Sequence, residues 1–360
     1  MKKQKTLLFV AIIMTHLMSC ATKNDENQFQ GPSNRYLIEK HDKYGYIDKF
    51  GNVVITPQFE IARHFREGLA KVGNSSDGPF GYIDTCGNLV IQMEFDEAEP
   101  FSEGFAQVKI GDSWGFINRK GKVVVNPQYE ETFPFSEGAA AVKEKNGKWG
   151  FVNCRGEYII HPQFSEVGSF SEGLASADGG YITKNGKFKI KSQYIETYMF
   201  SEDRALVSYP DLSSRQLAII DTDGNTINVV NKGPLQTRFS EGRISIKGAN
   251  GKGEGFADRN GNTIVMPNYD LACNFHDGLA RVCIDKKWGY IDTMGTIVIY
   301  PKYNCAFDFR EGLALVSLYD NTYAYINTKG IVVYEFINFN PYFGTIYGLS
   351  FAKPLYDMSL

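Results

Sequence analysis

Histidine and cysteine are scarce in this sequence, with five histidines and six cysteines among 360 residues. No two cysteines have the C-x-x-C spacing that is typical of a redox or zinc site. The sequence also lacks the G-x-S-x-G and H-E-x-x-H motifs, a phosphate-binding loop and a dinucleotide-binding fingerprint. We therefore expect no catalytic residue, no metal and no cofactor, and the protein is not predicted to be an enzyme.

An excess of positive charge is also absent, since 38 lysines and arginines are outnumbered by 41 aspartates and glutamates, for a net charge of −3. Binding to a phosphate backbone needs a basic surface, so we expect no nucleic acid partner. Hydrophobic residues make up 43% of the chain and charged residues 22%. These fractions exclude a disordered chain and a polytopic membrane protein.

Residues 1–19 have the pattern of a signal peptide, in which lysines precede an apolar run too short to span a bilayer permanently. The run ends in Leu17-Met18-Ser19-Cys20, which resembles the bacterial lipobox. The resemblance implies cleavage before Cys20 and the attachment of diacylglycerol and a palmitate-type acyl chain, which would anchor the protein to a membrane. Because Ala21 rather than Asp follows, it further implies an outer-membrane lipoprotein of the cell envelope, on the periplasmic or the cell-surface side. Residues 20–35 are polar and predict a flexible tether.

A motif recurs about every 35 residues over most of the chain. It begins with an aromatic residue and a glycine in an apolar segment, as in Trp114-Gly115-Phe116-Ile117. An Asp/Asn-x-x-Gly turn, a β-branched run and a Pro-x-aromatic element follow, and Phe-x-Glu-Gly precedes the next apolar segment. The glycine position is occupied in turn by Gly45, Gly81, Gly115, Gly150, Gly180, Ala218, Gly255, Gly289 and Ala324.

Each part of the motif is explained by β-structure. A glycine inside a strand marks the close approach of another backbone or ring, so Trp-Gly is interpreted as a packing pair. The Asp or Asn side chain accepts backbone hydrogen bonds and the following glycine supplies a positive φ, which predicts a hairpin. Proline ends the returning strand, and Glu-Gly begins another. Each repeat is therefore a three-stranded antiparallel meander, joined to the next by an irregular crossing such as residues 270–275.

The pattern resembles the bacterial WG repeat family, which is named for its Trp-Gly pair, over residues 44 to about 334. The resemblance implies an all-β tandem array of about eight to nine repeats. We assign residues 36–334 to the array and residues 335–360 to a C-terminal cap. Because the motif degenerates over residues 180–246, we expect an open, superhelical, solenoid-like array, with a closed propeller-like ring as the alternative.

Two recurring side chains are candidates for chemistry. The first is the aromatic residue of the motif, which is Trp114, Trp149, Trp288 or Tyr44 in four of the repeats. These rings could stack on a sugar or anchor a partner, although a core between repeats explains them better. The second is the acid of Phe-x-Glu-Gly. It recurs in equivalent surroundings, whereas a glycosidase needs two unlike carboxylates, so a structural role is predicted.

The sequence thus predicts a non-catalytic envelope lipoprotein that acts as a protein–protein interaction platform. Function in repeat arrays usually lies where the units differ, and here the loops differ most at Gly73–Pro79, Tyr209–Gln216 and Gly248–Glu254. A carbohydrate- or peptidoglycan-binding module is the alternative, and exposed tryptophan rings would favour it. Cys273 and Cys305 lie in neighbouring crossings, so both a disulfide and two free thiols remain open.

Overall fold

The computed structural model describes residues 34–211, 216–231, 237–319 and 322–337. Over these residues the secondary structure comprises 32 β-strands. None of the described residues belongs to a helix long and apolar enough to cross a membrane. The assigned signal peptide, Cys20 and most of the assigned tether lie outside the described residues, as do residues 338–360 of the assigned cap.

The described strands form nine antiparallel sheets, here called blades I to IX in chain order. Blade I contains β1 (Tyr36–Lys40), β2 (Lys43–Ile47) and β3 (Val53–Phe59); blade II contains β4 (Ile61–Ala62), β5 (Leu69–Gly73), β6 (Phe80–Asp84) and β7 (Leu89–Phe95); blade III contains β8 (Glu97–Ala98), β9 (Phe105–Ile110), β10 (Ser113–Asn118) and β11 (Val123–Tyr129). Blade IV contains β12 (Glu131–Thr132), β13 (Ala140–Lys143), β14 (Trp149–Val152) and β15 (Tyr158–Phe164); blade V contains β16 (Ala175–Ala177), β17 (Gly180–Ile182) and β18 (Phe188–Ile190); blade VI contains β19 (Glu196–Thr197), β20 (Ala205–Ser208), β21 (Gln216–Ile220) and β22 (Thr226–Asn231). Blade VII contains β23 (Arg243–Lys247), β24 (Glu254–Asp258) and β25 (Thr263–Tyr269); blade VIII contains β26 (Leu271–His276), β27 (Leu279–Ile284), β28 (Lys287–Asp292) and β29 (Ile297–Tyr303); blade IX contains β30 (Leu313–Tyr319), β31 (Thr322–Asn327) and β32 (Val332–Ile337).

Within each blade the strands are hydrogen-bonded in chain order, which confirms the predicted three-stranded antiparallel meander. Five blades add a strand before these three, namely β4, β8, β12, β19 and β26. The predicted irregular crossing at residues 270–275 was therefore wrong, because most of these residues form β26 and pair with β27. The ninth sheet is three-stranded, and β32 extends to Ile337, three residues into the segment assigned to the cap.

The nine blades close into a ring. The Tyr325 hydroxyl of blade IX donates a hydrogen bond to the Leu37 carbonyl of blade I, at 2.9 Å. The Tyr36 hydroxyl of blade I donates to the Glu311 carbonyl, which precedes blade IX, at 2.6 Å. Tyr36, Leu37 and Tyr325 also belong to one buried apolar cluster. The closed propeller-like ring is therefore the observed arrangement, and the open solenoid-like array that we expected was wrong.

The degenerate repeats do not interrupt the propeller because they keep the residues that join neighbouring blades. In this region the Ser201 hydroxyl donates to the Phe239 carbonyl at 3.2 Å, and the Ser240 hydroxyl donates to the Phe275 carbonyl at 2.7 Å. Phe200 and Phe239 are both buried. The Trp, Asp and Pro of the motif, which residues 180–207 lack, are not needed for these contacts, so their loss leaves closure intact.

The core is distributed over the interfaces between neighbouring blades. In seven of the interfaces an aromatic ring of one blade packs on the phenylalanine of the next Phe-x-Glu-Gly motif. The centroids of Tyr46 and Phe65 are 4.7 Å apart, as are those of Tyr290 and Phe309. The Tyr46 hydroxyl also donates to the Arg63 carbonyl of the next blade, at 2.6 Å. A single blade cannot bury these rings, so every blade depends on its neighbours.

The glycine of the Trp-Gly pair allows the following strand to approach closely. A Cβ atom at Gly115 would lie 2.5 Å from the Val125 carbonyl oxygen and 2.6 Å from the Pro127 nitrogen. The pairing register between β10 and β11 shifts at the same place, between Trp114 and Phe116. The proline-bearing strand therefore bulges over the glycine, which confirms the interpretation of this position as a close backbone approach.

Candidate functional site

The meander gives the propeller two different faces. The Glu-Gly turn and the Asp/Asn-x-x-Gly turn lie at the same end of each blade, because two antiparallel strands separate them and the second returns to the end where the first began. The loop before the Trp-Gly strand and the connection to the next blade lie at the opposite end. Hydrogen bonds join equivalent Glu-Gly turns of neighbouring blades, so these blades share one orientation. We call the first end the turn face and the second end the loop face.

Each Glu-Gly turn places two successive residues in the left-handed region of backbone conformation. In blade III, Glu103 has φ +53° and Gly104 has φ +82°. The flanking Ser102 and Phe105 exchange two backbone hydrogen bonds, at 2.8 and 3.1 Å. This is a type I′ turn, which usually contains Asn-Gly or Gly-Gly. The acid occupies a conformation that costs about 1–2 kcal/mol in a residue with a side chain.

The acid's carboxylate bonds to the turn of the next blade. Glu67 accepts hydrogen bonds from the backbone N–H groups of Glu103 and Gly104, at 2.6 and 2.9 Å. Glu103 makes the same pair of contacts with Glu137 and Gly138, at 2.6 and 2.8 Å. Hydrogen bonds to a charged acceptor are stronger than those between neutral groups, so these contacts offset the strain in the turn.

The same contact is repeated from blade to blade and continues from the last blade to the first. Glu311, which precedes blade IX, accepts a hydrogen bond from the backbone N–H of Asn34, which precedes blade I, at 2.6 Å. We call the participating acids the carboxylate ring; they are Glu67, Glu103, Glu137, Glu172, Glu202, Glu241, Asp277 and Glu311. The structure thus gives the recurring acid a structural role, and its carboxylate oxygens are already engaged by backbone amides.

The variation in loop length is confined to the loop face. The loop between β9 and β10 has two residues, Gly111 and Asp112, whereas Gly73–Pro79 and Gly248–Glu254 form long loops at the equivalent place in blades II and VII. Tyr209–Gln216 occupies the equivalent connection in blade VI, between β20 and β21, and its residues 212–215 lie outside the described part of the chain. All three loops that the sequence singled out therefore project from one face.

A groove of about 480 Å³ opens beside the Gly73–Pro79 loop. Its lining residues are Ile61, Arg63, Lys71, Ser76, Asp77, Phe80, Asp96 and Glu97. The cations are half-buried and the acids are exposed. The Lys71 ammonium lies 3.9 Å from the Phe80 ring centroid, a cation–π distance, and burial lowers the pKa of Lys71. The groove thus presents both signs of charge and an aromatic ring on the loop face.

The comparison with known families agrees with the repeat geometry. The WG containing repeat model matches seven segments of the chain, at residues 44–74, 80–113, 114–149, 149–177, 180–209, 255–288 and 288–323. Together they cover more than half of the sequence. The chain belongs to the WG containing repeat family. No curated protein matches it.

Several solved structures resemble the WG repeat propeller at low sequence identity. The computationally designed Ika8 protein is 13% identical, with 74% of this chain and 93% of that chain covered and a TM-score of 0.45. BamB from Moraxella catarrhalis is 13% identical, with 82% and 94% covered and a TM-score of 0.38. Apo AztD from Citrobacter koseri is 13% identical, with 84% and 94% covered and a TM-score of 0.42. At these TM-scores none of the three carries an argument about function.

The aromatic residues of the WG repeats contribute to the packing between blades. Tyr44 and Trp149 are buried, with exposed fractions of 6% and 7%. Trp149 stacks on Phe133 of its own blade, with ring centroids 4.8 Å apart, and belongs to a buried cluster that continues into blade V. Trp114 and Trp288 are half-buried, and a basic side chain lies over each ring. The four rings that were candidates for binding therefore do not form a continuous exposed stripe.

The cysteines and histidines of the described residues form no reactive centre. Cys273 and Cys305 are free thiols, so the disulfide alternative is not formed. Burial raises the pKa of Cys273 to about 11, which keeps its thiol protonated and a poor nucleophile. Within the described parts of the WG repeat array, no three His, Cys, Asp or Glu side chains converge as metal ligands.

Proposed function

We propose that this WG repeat protein is a non-catalytic interaction platform of the bacterial cell envelope whose loop face binds a protein partner. The observation that carries the proposal is the difference between the two faces. The carboxylate ring ties the turn face together with the same contact in blade after blade, whereas the three long loops all project from the loop face. Loops that vary on a rigid scaffold are where binding residues usually lie.

The groove beside Gly73–Pro79 supports this assignment. It brings the half-buried cations Arg63 and Lys71 close to the exposed acids Asp77 and Glu97, with Phe80 between two blades. A mixed-charge surface around an aromatic ring suits a protein segment that carries charges of both signs, because opposite charges at the rim set the orientation of the partner. The buried positions of Tyr44 and Trp149 give no such support to sugar stacking.

A photo-crosslinking amino acid at single positions tests the proposal. Ser76 and Asn250 report on the loop face, and Arg155, an exposed residue of an Asp/Asn-x-x-Gly turn, is the matched control on the turn face. After irradiation of intact cells, we expect the same envelope protein to be captured from Ser76 and Asn250 and not from Arg155. Capture chiefly from Arg155, or recovery of glycan without protein, would contradict a protein-binding loop face.

The proposal places the propeller at a membrane through a lipid on Cys20. Its support is the lipobox resemblance and the polar segment that follows, which is long enough to act as a spacer. We expect Cys20→Ser to release the protein from the membrane fraction, while Cys86→Ser, which alters an exposed free thiol of the propeller, leaves it bound. A Cys20→Ser variant that still sediments with membranes would exclude this anchor.

A further inference from the structure

Large apolar side chains are exposed on one sector of the outer rim. The Glu-Gly turns, which bond from blade to blade, lead into the first strand of each meander, so the last strand is the outer edge of its sheet. Eight large apolar side chains of the described residues are more than half exposed, and six of them lie in the last strands of blades VII, VIII, IX and I or in the turns before these strands. Met294, Tyr300 and Phe50 are the most exposed, at 80%, 75% and 72%.

We call these six side chains the apolar band; they are Phe50, Met266, Met294, Tyr300, Ile331 and Ile337. In blade IV, four blades from blade VIII, the positions of Met294 and Tyr300 hold the polar residues Arg155 and His161. Because these positions are exposed in both blades, folding does not require an apolar side chain at either of them. Exposed apolar side chains that gather on neighbouring blades mark a surface that contacts a protein or a membrane.

The apolar band is continuous because each turn packs on the last strand of the blade before it. A Cβ atom on Gly295 of blade VIII would lie 3.1 Å from the Val265 side chain of blade VII. This contact places the turn that carries Met294 against the strand that carries Met266. The equivalent glycines of blades IX and I approach the strand before them in the same way. The band therefore runs without a gap from blade VII to blade I.

The chain enters the propeller in the same sector and on the turn face. Asn34 precedes β1 of blade I, and its backbone N–H donates to Glu311, which precedes blade IX, at 2.6 Å. Thirteen residues separate Asn34 from Cys20. Cys20 is therefore at most about 50 Å from Asn34, even with these residues fully extended. A lipid on Cys20 holds blades IX and I, and the band with them, closer to a bilayer than the blades across the propeller.

The chemistry of the apolar band suits the surface of a bilayer. Tyrosine prefers the level of the lipid headgroups, and buried apolar area drives the binding of proteins to that interface. Lys302, on the same strand as Tyr300, and Lys329, in the turn of blade IX, are exposed and can meet lipid phosphates. The nearby acid Glu335 accepts a hydrogen bond from the Tyr319 hydroxyl at 2.9 Å, so its carboxylate has a partner within the blade.

We propose that the apolar band is the surface on which the propeller rests against the bilayer, beside the lipid anchor. This inference rests on the proposed attachment at Cys20. Because Phe50 and Met294 belong to turns of the turn face, that face tilts towards the membrane. The loop face then points away from the membrane, where a protein partner can reach its long loops.

A photo-crosslinking amino acid at Met294 or Tyr300 of the full chain tests the proposal in intact cells. Arg155 and His161, at the equivalent positions of blade IV, are the matched controls, and all four side chains are exposed, so the substitutions should leave the fold intact. After irradiation, we expect the proteins with the probe at Met294 or Tyr300 to gain the mass of one phospholipid and the two controls to gain none. A crosslink from Met294 and Tyr300 to a protein, including a second copy of this chain, would overturn the proposal. Lipid adducts at all four positions, or at none, would also overturn it.

Fractionation of cells that produce Cys20→Ser distinguishes a failure of the apolar band from a failure of the anchor. Release of Cys20→Ser from the membrane fraction, combined with no lipid adduct at Met294 or Tyr300 of the anchored chain, would uphold the anchor and overturn the band. Retention of Cys20→Ser, combined with lipid adducts at both positions and at neither control, would overturn the anchor and uphold the band.

Discussion

Substitutions of Glu103 separate two opposing contributions of the carboxylate ring to stability, namely its hydrogen bonds and its strained backbone. Its carboxylate accepts amide hydrogen bonds from Glu137 and Gly138 at 2.6 and 2.8 Å, and its own φ is +53°. Because the side chain is exposed, we assign about 1 kcal/mol to each bond, and the left-handed backbone costs about 1–2 kcal/mol. Glu103→Ala loses both bonds and keeps the strain, so we expect a loss of about 2 kcal/mol in the free energy of unfolding.

Glycine at the same position removes the bonds and the strain together. We therefore expect Glu103→Gly to be more stable than Glu103→Ala by about 1 kcal/mol, although glycine usually destabilises a folded chain. Glu94→Ala is the matched control, since Glu94 is an exposed acid of β7 outside the carboxylate ring. It should leave stability nearly unchanged.

Urea unfolding followed by tryptophan fluorescence gives the global effect, and hydrogen exchange at the amides of Glu137 and Gly138 gives the local one. Both amides should exchange faster in Glu103→Ala than in Glu94→Ala. The reasoning is refuted if Glu103→Ala matches the control in stability and exchange. It is also refuted if Glu103→Gly is the less stable of the two Glu103 variants.

Three further predictions use other contacts. Burial raises the pKa of Glu254 from 4.5 to about 7, so its contribution to stability is present below pH 4.5 and is lost as pH rises through 7. Relative to Glu254→Gln, the wild type should lose up to about 3 kcal/mol in the free energy of unfolding as the pH rises from 5 to 8, which urea unfolding measures. Gly115→Ala should lower the free energy of unfolding by about 3 kcal/mol or more, because its Cβ would lie 2.5 Å from a backbone carbonyl oxygen. Gly104→Ala should lower it by about 1 kcal/mol, because only the positive φ of this position disfavours alanine. Chemical unfolding measures both losses. Ser136→Ala removes the hydrogen bond to the Phe170 carbonyl and should cost about 1 kcal/mol in the same assay.

Each of these predictions has a clear contrary result. A pH dependence that is unchanged in Glu254→Gln would assign the titration to another group. Equal losses in Gly115→Ala and Gly104→Ala would remove the distinction between a backbone clash and a strained φ. No loss in Ser136→Ala would show that the serine contact does not join the blades.

The fold was largely predictable because its determinants are local. Asp48 shows this, since its carboxylate accepts the backbone N–H groups of Phe50 and Asn52 at 2.9 Å each, as a short acid before a glycine turn should. Gly115 likewise lies under a neighbouring backbone. Closure was not predictable, because it depends on a small rotation per repeat and on contacts between residues far apart in sequence, such as Tyr325 with Leu37.

The sites were predicted only in part. The three variable loops were found because length differences are visible in the repeat alignment, but their shared face required the strand order. The carboxylate ring was missed, although the sequence held a signal for it. A glutamate that recurs before glycine, where a type I′ turn usually has asparagine, indicates that the longer side chain reaches something, and here it reaches the next blade.

The carboxylate ring also fixes how many repeats the protein can contain. An open array gains stability from each added repeat, and its end units need only a polar cap. Here the final acid, Glu311, bonds to the backbone that precedes the first blade. Duplication or deletion of one repeat would separate these partners and change the distance that every carboxylate must span. Evolution of this chain by gain or loss of repeats is therefore restricted. Lengthening a loop on the loop face, in contrast, leaves the carboxylate ring unchanged.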